Sequence, residues 1–298
     1  MTASEFLTII AQISGLLGIV ASMLGMGLGL TLAQITQPLK NMRLVLLVLL
    51  ANFILVPLLA YVITLVLPLS DPLKIGLIII ACSAGAPFLV LEARGAKANL
   101  ALAVGVMTLL MVITVFFLPI VLPLLLTGVE VNPWDIAKSL IVLMLIPLIL
   151  GLLVKSHSSD TAAHWAPFMN KIGSLGIMVL LVVGLGLNAS SVISLIGTRG
   201  FLAILLFIAG SLAIGFVIGG RDPAIRNVTG LGTAQRNVTA ALVVALQNFG
   251  GTDTVTFTLV AAILIPLILL PLAKRLGSRI QPEAPLAAAE VATGSPTA

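Results

Sequence analysis

Charge is scarce in this chain. Only 8% of its 298 residues are Asp, Glu, Lys or Arg, while 60% are hydrophobic. Soluble domains carry about 25% charged residues, so a soluble globular fold is excluded. The net charge of +5 comes from basic residues scattered singly, which excludes the clustered footprint of a nucleic-acid binder. Cysteine is nearly missing too. The single Cys82 excludes an internal disulfide framework and any multi-cysteine metal site, and leaves a small apolar packing residue. The two histidines, His157 and His164, fall in the most polar connection, about residues 155–171, where they are expected to be solvated. With no metal-ligand cluster and no nucleophile motif, neither an enzyme nor a metal or cofactor requirement is expected.

What abounds is apolar sequence, with a mean hydropathy of +1.25. A helix needs roughly 20 apolar residues to cross a bilayer. Nine segments are predicted to do so, at about 7–31, 43–68, 73–90, 98–126, 134–154, 165–188, 198–220, 224–248 and 254–273. The opening Met1-Thr2-Ala3-Ser4-Glu5 lacks a basic leader, so the first run is expected as a retained helix. Gln37-Pro38, Asp71-Pro72, Asn132-Pro133 and Asp222-Pro223 punctuate the links.

With the N-terminus outside, the inner loops hold eleven basic residues: Lys40, Arg43, Arg94, Lys97, Lys155, Lys171, Arg221, Arg226, Lys274, Arg275 and Arg279. The outer loops and helix ends hold three, Lys74, Lys138 and Arg199. The positive-inside asymmetry therefore predicts N-terminus out and C-terminus in. Residues 1–280 are expected to form the transmembrane domain. Residues 281–298, rich in Ala, Pro, Glu, Ser and Thr, are expected to be a disordered cytoplasmic tail.

Two segments look broken. Cys82-Ser83-Ala84-Gly85-Ala86-Pro87-Phe88 interrupts the third, and the polar island Gly230-Leu231-Gly232-Thr233-Ala234-Gln235-Arg236-Asn237 interrupts the eighth. Lying five helices apart, they would run in opposite directions. Paired antiparallel interruptions are the signature of an inverted-repeat transporter, whose site lies where the broken helices meet. Arg236 is the one basic residue not assigned to a loop or helix end. Even on the mildest scale a charge at membrane depth costs about 2.5–3.5 kcal/mol unless a cavity or partner receives it.

The order of landmarks resembles the bile acid:sodium symporter family over about residues 15–275. Gly25-Met26-Gly27-Leu28-Gly29-Leu30-Thr31-Leu32 is similar to that family's early Gly-Met-Gly-Leu-Thr-Leu passage, and Pro57-Leu58-Leu59-Ala60 to the end of its next helix. Ala93-Arg94-Gly95, with Asn99-Leu100-Ala101-Leu102 behind it, resembles the stretch after the first break. Gln235-Arg236-Asn237, then Ala240-Ala241-Leu242, resembles the second crossing. The resemblance implies an all-α, polytopic inverted-repeat transporter with a panel domain and a core domain, the two broken helices crossing in the core. It also implies sodium ligands, and these are missing. The family's Glu falls at about Gly232, its Gln at Arg236, its Ser-Asn pair near Ala86-Pro87, and its two hydroxyls near Ala103 and Met107. Apolar groups and an arginine cannot replace hard oxygen ligands, so sodium coupling at those sites is not expected. The related arsenite exporters fit less well, since Phe88 stands where they carry a cysteine.

The expected function is secondary transport of a small organic anion across a cell membrane, as a facilitator, an exchanger with a counter-substrate, or a proton-coupled carrier. Arg236 would replace the sodium charge and grip a substrate carboxylate through its fork. The competing readings, ranked behind this one, are a structural arginine bonding the carbonyls of broken helix and an arginine at the interface. Gln235, Asn237, Thr233, Thr239, Asn52, Ser83 and Phe88 are candidates for the substrate site; satisfying opened backbone is the competing role for Gln235, Asn237, Thr233 and Thr239, and an interhelical hydrogen bond is the leading alternative for Asn52. Gly85, Pro87 and Gly232 are read as helix breakers. Glu92 is read as an ion-pair partner of Arg94, or else as a proton-coupling group. The other readings are a membrane-embedded sensor that binds without transport, and a sodium-coupled symporter with displaced ion sites.

Overall fold

The computed structural model describes residues 3–36, 40–126, 132–187, 189–196 and 199–279. Gln37-Pro38 and residues 281–298 lie outside them. The described residues hold helices and no strand: α1 (Ala3–Gly29), α2 (Leu32–Thr36), α3 (Met42–Leu50), α4 (Val56–Val66), α5 (Asp71–Cys82), α6 (Phe88–Gly95), α7 (Leu100–Leu125), α8 (Pro133–Leu140), α9 (Ile146–His157), α10 (Ser159–Leu187), α11 (Ala189–Ile196), α12 (Arg199–Gly219), α13 (Pro223–Ala234), α14 (Val238–Asn248) and α15 (Asp253–Ser278).

Among the described residues, seven continuous helices are long and apolar enough to cross a membrane: Glu5–Gly29, Met42–Val66, Leu100–Leu125, Pro133–His157, Ser159–Leu187, Arg199–Gly219 and Asp253–Ser278. Their outward surface is apolar as well, with Val217 82%, Leu124 70% and Leu65 68% exposed. Such a surface suits lipid rather than water. The predicted third and eighth segments are instead two helix pairs, α5/α6 and α13/α14, each separated by a few non-helical residues.

Local chemistry sets the ends. Asn41, Asn99, Asn132, Asp222 and Asn237 each accept a backbone N–H in the first turn of α3, α7, α8, α13 and α14. Pro72, Pro133 and Pro223 sit in the first turns of their helices, where a missing N–H costs nothing. Pro57 and Pro147 act differently. Each follows by two residues a single π-helical turn, Ala51–Leu55 or Ile141–Leu145, in an otherwise continuous rod. The wider turn accommodates the hydrogen bond that proline cannot donate.

The polar connection expected around residues 155–171 is a correction. It is almost wholly helical, with α9 ending at His157 and α10 starting at Ser159. The Ser158 hydroxyl accepts the Thr161 N–H at 3.3 Å, and Asp160 occupies the first turn, which together favour starting a helix there. Both histidines are exposed on it.

Glycine permits the closest contacts. A Cβ on Gly18 would strike the α10 backbone at Gly176 and Ile177, and one on Gly27 the α9 backbone at Leu148 and Gly151. Gly215 and Gly219 likewise press α12 onto Arg226, Thr229 and Gly230 of α13. In lipid, where apolar burial drives little, such backbone approach supplies the packing energy.

Candidate substrate cavity and helix crossing

The two interruptions touch. The Asn237 backbone N–H donates to the Ser83 carbonyl at 2.8 Å, tying residues 83–87 to residues 235–237.

In the first interruption the opened backbone finds local partners. Ser83 Oγ donates to the Ile79 carbonyl at 2.7 Å. Thr114 Oγ1, reaching from α7, accepts the Ala84 N–H and donates to the Ala84 carbonyl, both at 3.0 Å. Gly85 has φ +80°, and a Cβ there would strike the Met107 and Met111 backbone of α7. Gly85 and Pro87 lie among the non-helical residues between α5 and α6. Gly232 does not break its helix. It lies inside α13, where a Cβ would come within 2.8 Å of the Leu89 side chain on α6. Its role is close packing, and the helix opens three residues later at Gln235.

The second interruption carries the charge. Arg236 is fully buried. Its Nε donates to the Ile80 carbonyl at 3.3 Å, and its Nη2 to the Ala81 carbonyl at 2.6 Å. Its Nη1 donates to Asn52 Oδ1 at 2.7 Å and to the Thr233 carbonyl at 3.0 Å. Four hydrogen bonds therefore draw on a guanidinium with five N–H groups. The carbonyls belong to the last turns of α5 and α13, where an interrupted helix lacks the next turn's N–H groups; that of Ile80 also accepts the Ser83 N–H at 3.1 Å. Those C-terminal ends also carry partial negative charge that favours a cation. Among the described residues, the ion pair found is Lys74 with Asp71, away from Arg236.

Asn52 sits on the π-helical turn. Besides accepting from Arg236, its Nδ2 donates to the Val48 carbonyl at 3.0 Å and to Thr233 Oγ1 at 3.4 Å. Asn237 caps α14 through Oδ1, 3.0 Å from the Ala240 N–H, but its Nδ2 has no partner among the described residues. Gln235 Oε1 is likewise buried without a donor.

Beside this crossing lies a cavity of about 740 Å³, between α1 and α10 on one side and α6, α7, α14, α15 and the interruptions on the other. Its walls are mainly apolar, with Phe88, Met26, Met107 and Ile177 prominent. Gln235, Thr239, Phe88 and Pro87 line it, and Arg236 backs the wall without exposed surface. Thr233, Asn237, Asn52, Ser83 and Gly85 build the crossing behind. Sequence reasoning missed Ser22, Asn170 and Ser174, which supply polar atoms on the facing wall. A faint signal existed: Gly18, Ser22, Gly25 and Gly29 repeat at helical spacing. The ion pair expected between Glu92 and Arg94 does not form. Glu92 is buried with both oxygens unpartnered, and Arg94 is exposed; residues two apart on a helix do not face each other.

Comparison with known proteins places this architecture. The profile of the Sodium Bile acid symporter family matches residues 16–195, a span that ends before the second interruption. An uncharacterized sodium-dependent transporter of Bacillus subtilis (strain 168) is 30% identical over 61% of this chain and 57% of its own length. A probable sodium/metabolite cotransporter of the Oryza sativa subsp. japonica chloroplast is 26% identical over 81% of this chain and 60% of its own. An Arabidopsis thaliana chloroplast protein of the same description is 24% identical over 79% and 59%. The chain thus spans about three fifths of the length of these relatives. All three carry transporter names and none an enzyme's. With its seven apolar helices this is a multi-pass membrane protein, and by the match over most of its length the chain belongs to the sodium bile acid symporter family.

Proposed function

We propose that this protein is a secondary transporter of an organic anion, working by alternating access in a cell membrane. In this reading α5/α6 and α13/α14 are two further, interrupted spans, related as an inverted repeat and bringing the total to nine. A core built around them rocks against a panel of α1, α8–α9 and α10, with the cavity between. The N-terminus lies outside and residues 281–298 in the cytoplasm, on the side where the basic loop residues collect.

The observation that carries this reading is the cavity with both interruptions in one wall. Its volume lies in the roughly 300–1,000 Å³ range of small-molecule sites. The mainly apolar lining fits an anion with an apolar body, oriented by Gln235 and Thr239. Helices α6 and α14 start at the cavity wall, and their N-terminal ends attract negative charge. Arg236 adds a full charge that carbonyl dipoles offset only in part. In a low-dielectric setting that charge acts beyond contact distance, so it attracts the anion without releasing its own hydrogen bonds.

The relatives are named for sodium. For this chain we propose that Arg236 takes over the cation's role at the crossing and that transport does not require sodium. The support is residue chemistry: Gly232, Ala86, Pro87, Ala103 and Met107 offer no side-chain oxygen. Purified protein in proteoliposomes, offered a mixture of carboxylate and sulfonate metabolites, tests both points by mass-detected uptake. Accumulation in choline chloride as well as sodium chloride is expected. Uptake only with sodium would favour displaced ion sites, and binding without label exchange would favour a sensor.

A further inference from the structure

We propose that Glu92 is a proton-binding site of the transport cycle, protonated while α6 is packed against α13 and ionised when that contact opens to water. For its place in a cycle this rests on the transport reading above; the site itself stands on its own geometry.

Glu92 has no exposed surface, and neither carboxyl oxygen has a hydrogen-bond partner among the described residues. Its helical neighbours Leu89 and Ala93 are buried with it. Leu89 packs over Gly232 of α13, and the Asn99 N–H beyond α6 donates to the Ala224 carbonyl of α13 at 3.3 Å. The helices packed on α6 are α7, α13 and α15. Helix α7 brings no titratable residue. Helix α13 brings Arg226, preceded by Asp222, and α15 brings Asp253, Lys274 and Arg275; all are exposed, as is Arg94 on α6 itself. None is ion-paired with Glu92, and the four hydrogen bonds of Arg236 go to other groups.

A carboxylate in that position would be a buried charge without a partner, which favours the neutral acid. The exposed cations Arg94, Lys97, Arg226, Lys274 and Arg275 favour the opposite state once water enters, because their field stabilises a solvated anion. The step balances simply: the carboxyl O–H bond breaks, the proton passes to water, and the carboxylate remains. Phe88 and Val90 of the same short helix line the cavity, so a shift of α6 that reshapes the cavity also moves Glu92. Buried ionisable groups of this kind serve proton relays in membrane proteins.

Infrared spectroscopy of the purified full chain in lipid reads the protonation state directly. A carboxylic C=O stretching band is expected at neutral pH, missing in Glu92→Gln and lost from the wild type at alkaline pH. Hydrogen exchange over residues 88–96, corrected for intrinsic rates, is expected to rise at least tenfold over the same range in the wild type and to stay flat in Glu92→Gln. A spectrum identical to that of Glu92→Gln at neutral pH overturns the proposal, as does a band that persists until unfolding. Loss of the band on adding sodium chloride but not choline chloride overturns it in favour of a metal cation site. An intact titration in a protein that moves no solute would overturn the transport reading alone, and solute flux without the band would overturn the proton site alone.

Discussion

The two interruptions solve the same problem with opposite means. Residues 83–87 use small residues, one left-handed glycine and one borrowed hydroxyl, and the opened backbone around them is met by the Ser83 and Thr114 hydroxyls and the Asn237 N–H. Residues 235–237 place a whole guanidinium in the gap and leave Gln235 Oε1 and Asn237 Nδ2 without partners. The first is a completed joint. The second holds a bonded charge that supports the crossing and, beside it, idle polar atoms of the kind that call for a further explanation. The contrast also shows how the gap is closed: one side chain from the second interruption satisfies the helix end of the first.

Removing that side chain is the largest expected effect. Arg236→Met leaves the Ala81 and Thr233 carbonyls and Asn52 Oδ1 without their donor at once, while the Ile80 carbonyl keeps the Ser83 N–H. At about 1–3 kcal/mol for each unmet buried acceptor, offset in part by relief of a buried charge, the loss should be about 4 kcal/mol. Thermal unfolding in detergent measures it, and a variant melting with the wild type would show that the guanidinium does not hold the crossing. Arg236→Lys should fall between the two, because an ammonium cannot reach acceptors arrayed around a planar fork.

The next effects fall on the first interruption. Gly85→Ala forces a side chain into a left-handed φ, at roughly 1–2 kcal/mol, and against the α7 backbone besides. Its expected loss of about 3 kcal/mol would appear in the same melting assay. Thr114→Val keeps the shape but removes the group that serves both the Ala84 N–H and its carbonyl. About 2 kcal/mol is expected; a neutral result would mean that the Ala84 groups find other partners.

Much of this was legible in the sequence because the bilayer leaves few options. Long apolar runs had to be helices, proline after Asp or Asn marked their starts, and Gly85-Ala86-Pro87 marked the first gap. The island around Arg236 was legible as a break but not in detail. Gly232 looked like the breaker because glycine is a poor helix former, yet its missing side chain serves packing against Leu89. Long-range pairings were out of reach: nothing in the chain says that Asn52, from a helix 184 residues away, meets the guanidinium. The burial of Glu92 was hidden in the same way, since Arg94 nearby offered a local partner that the helix turns aside.

The smallest stability effect and the sharpest test of the contrast is Gln235→Leu. The side chain lines the cavity and its Oε1 has no donor, so a leucine of similar bulk removes an unmet buried acceptor and leaves the packing near what it was. Melting should change by less than about 0.5 kcal/mol, and in either direction. Function should respond differently. If Gln235 orients the anion, its loss removes a hydrogen bond that forms only with solute present, and a tenfold fall in uptake corresponds to about 1.4 kcal/mol. Thr114→Val, in contrast, should lower stability with little change in flux per folded molecule. Paired measurements of melting and flux on these two variants therefore test whether the two interruptions divide support and binding between them, and equal ratios of the two effects would erase the distinction.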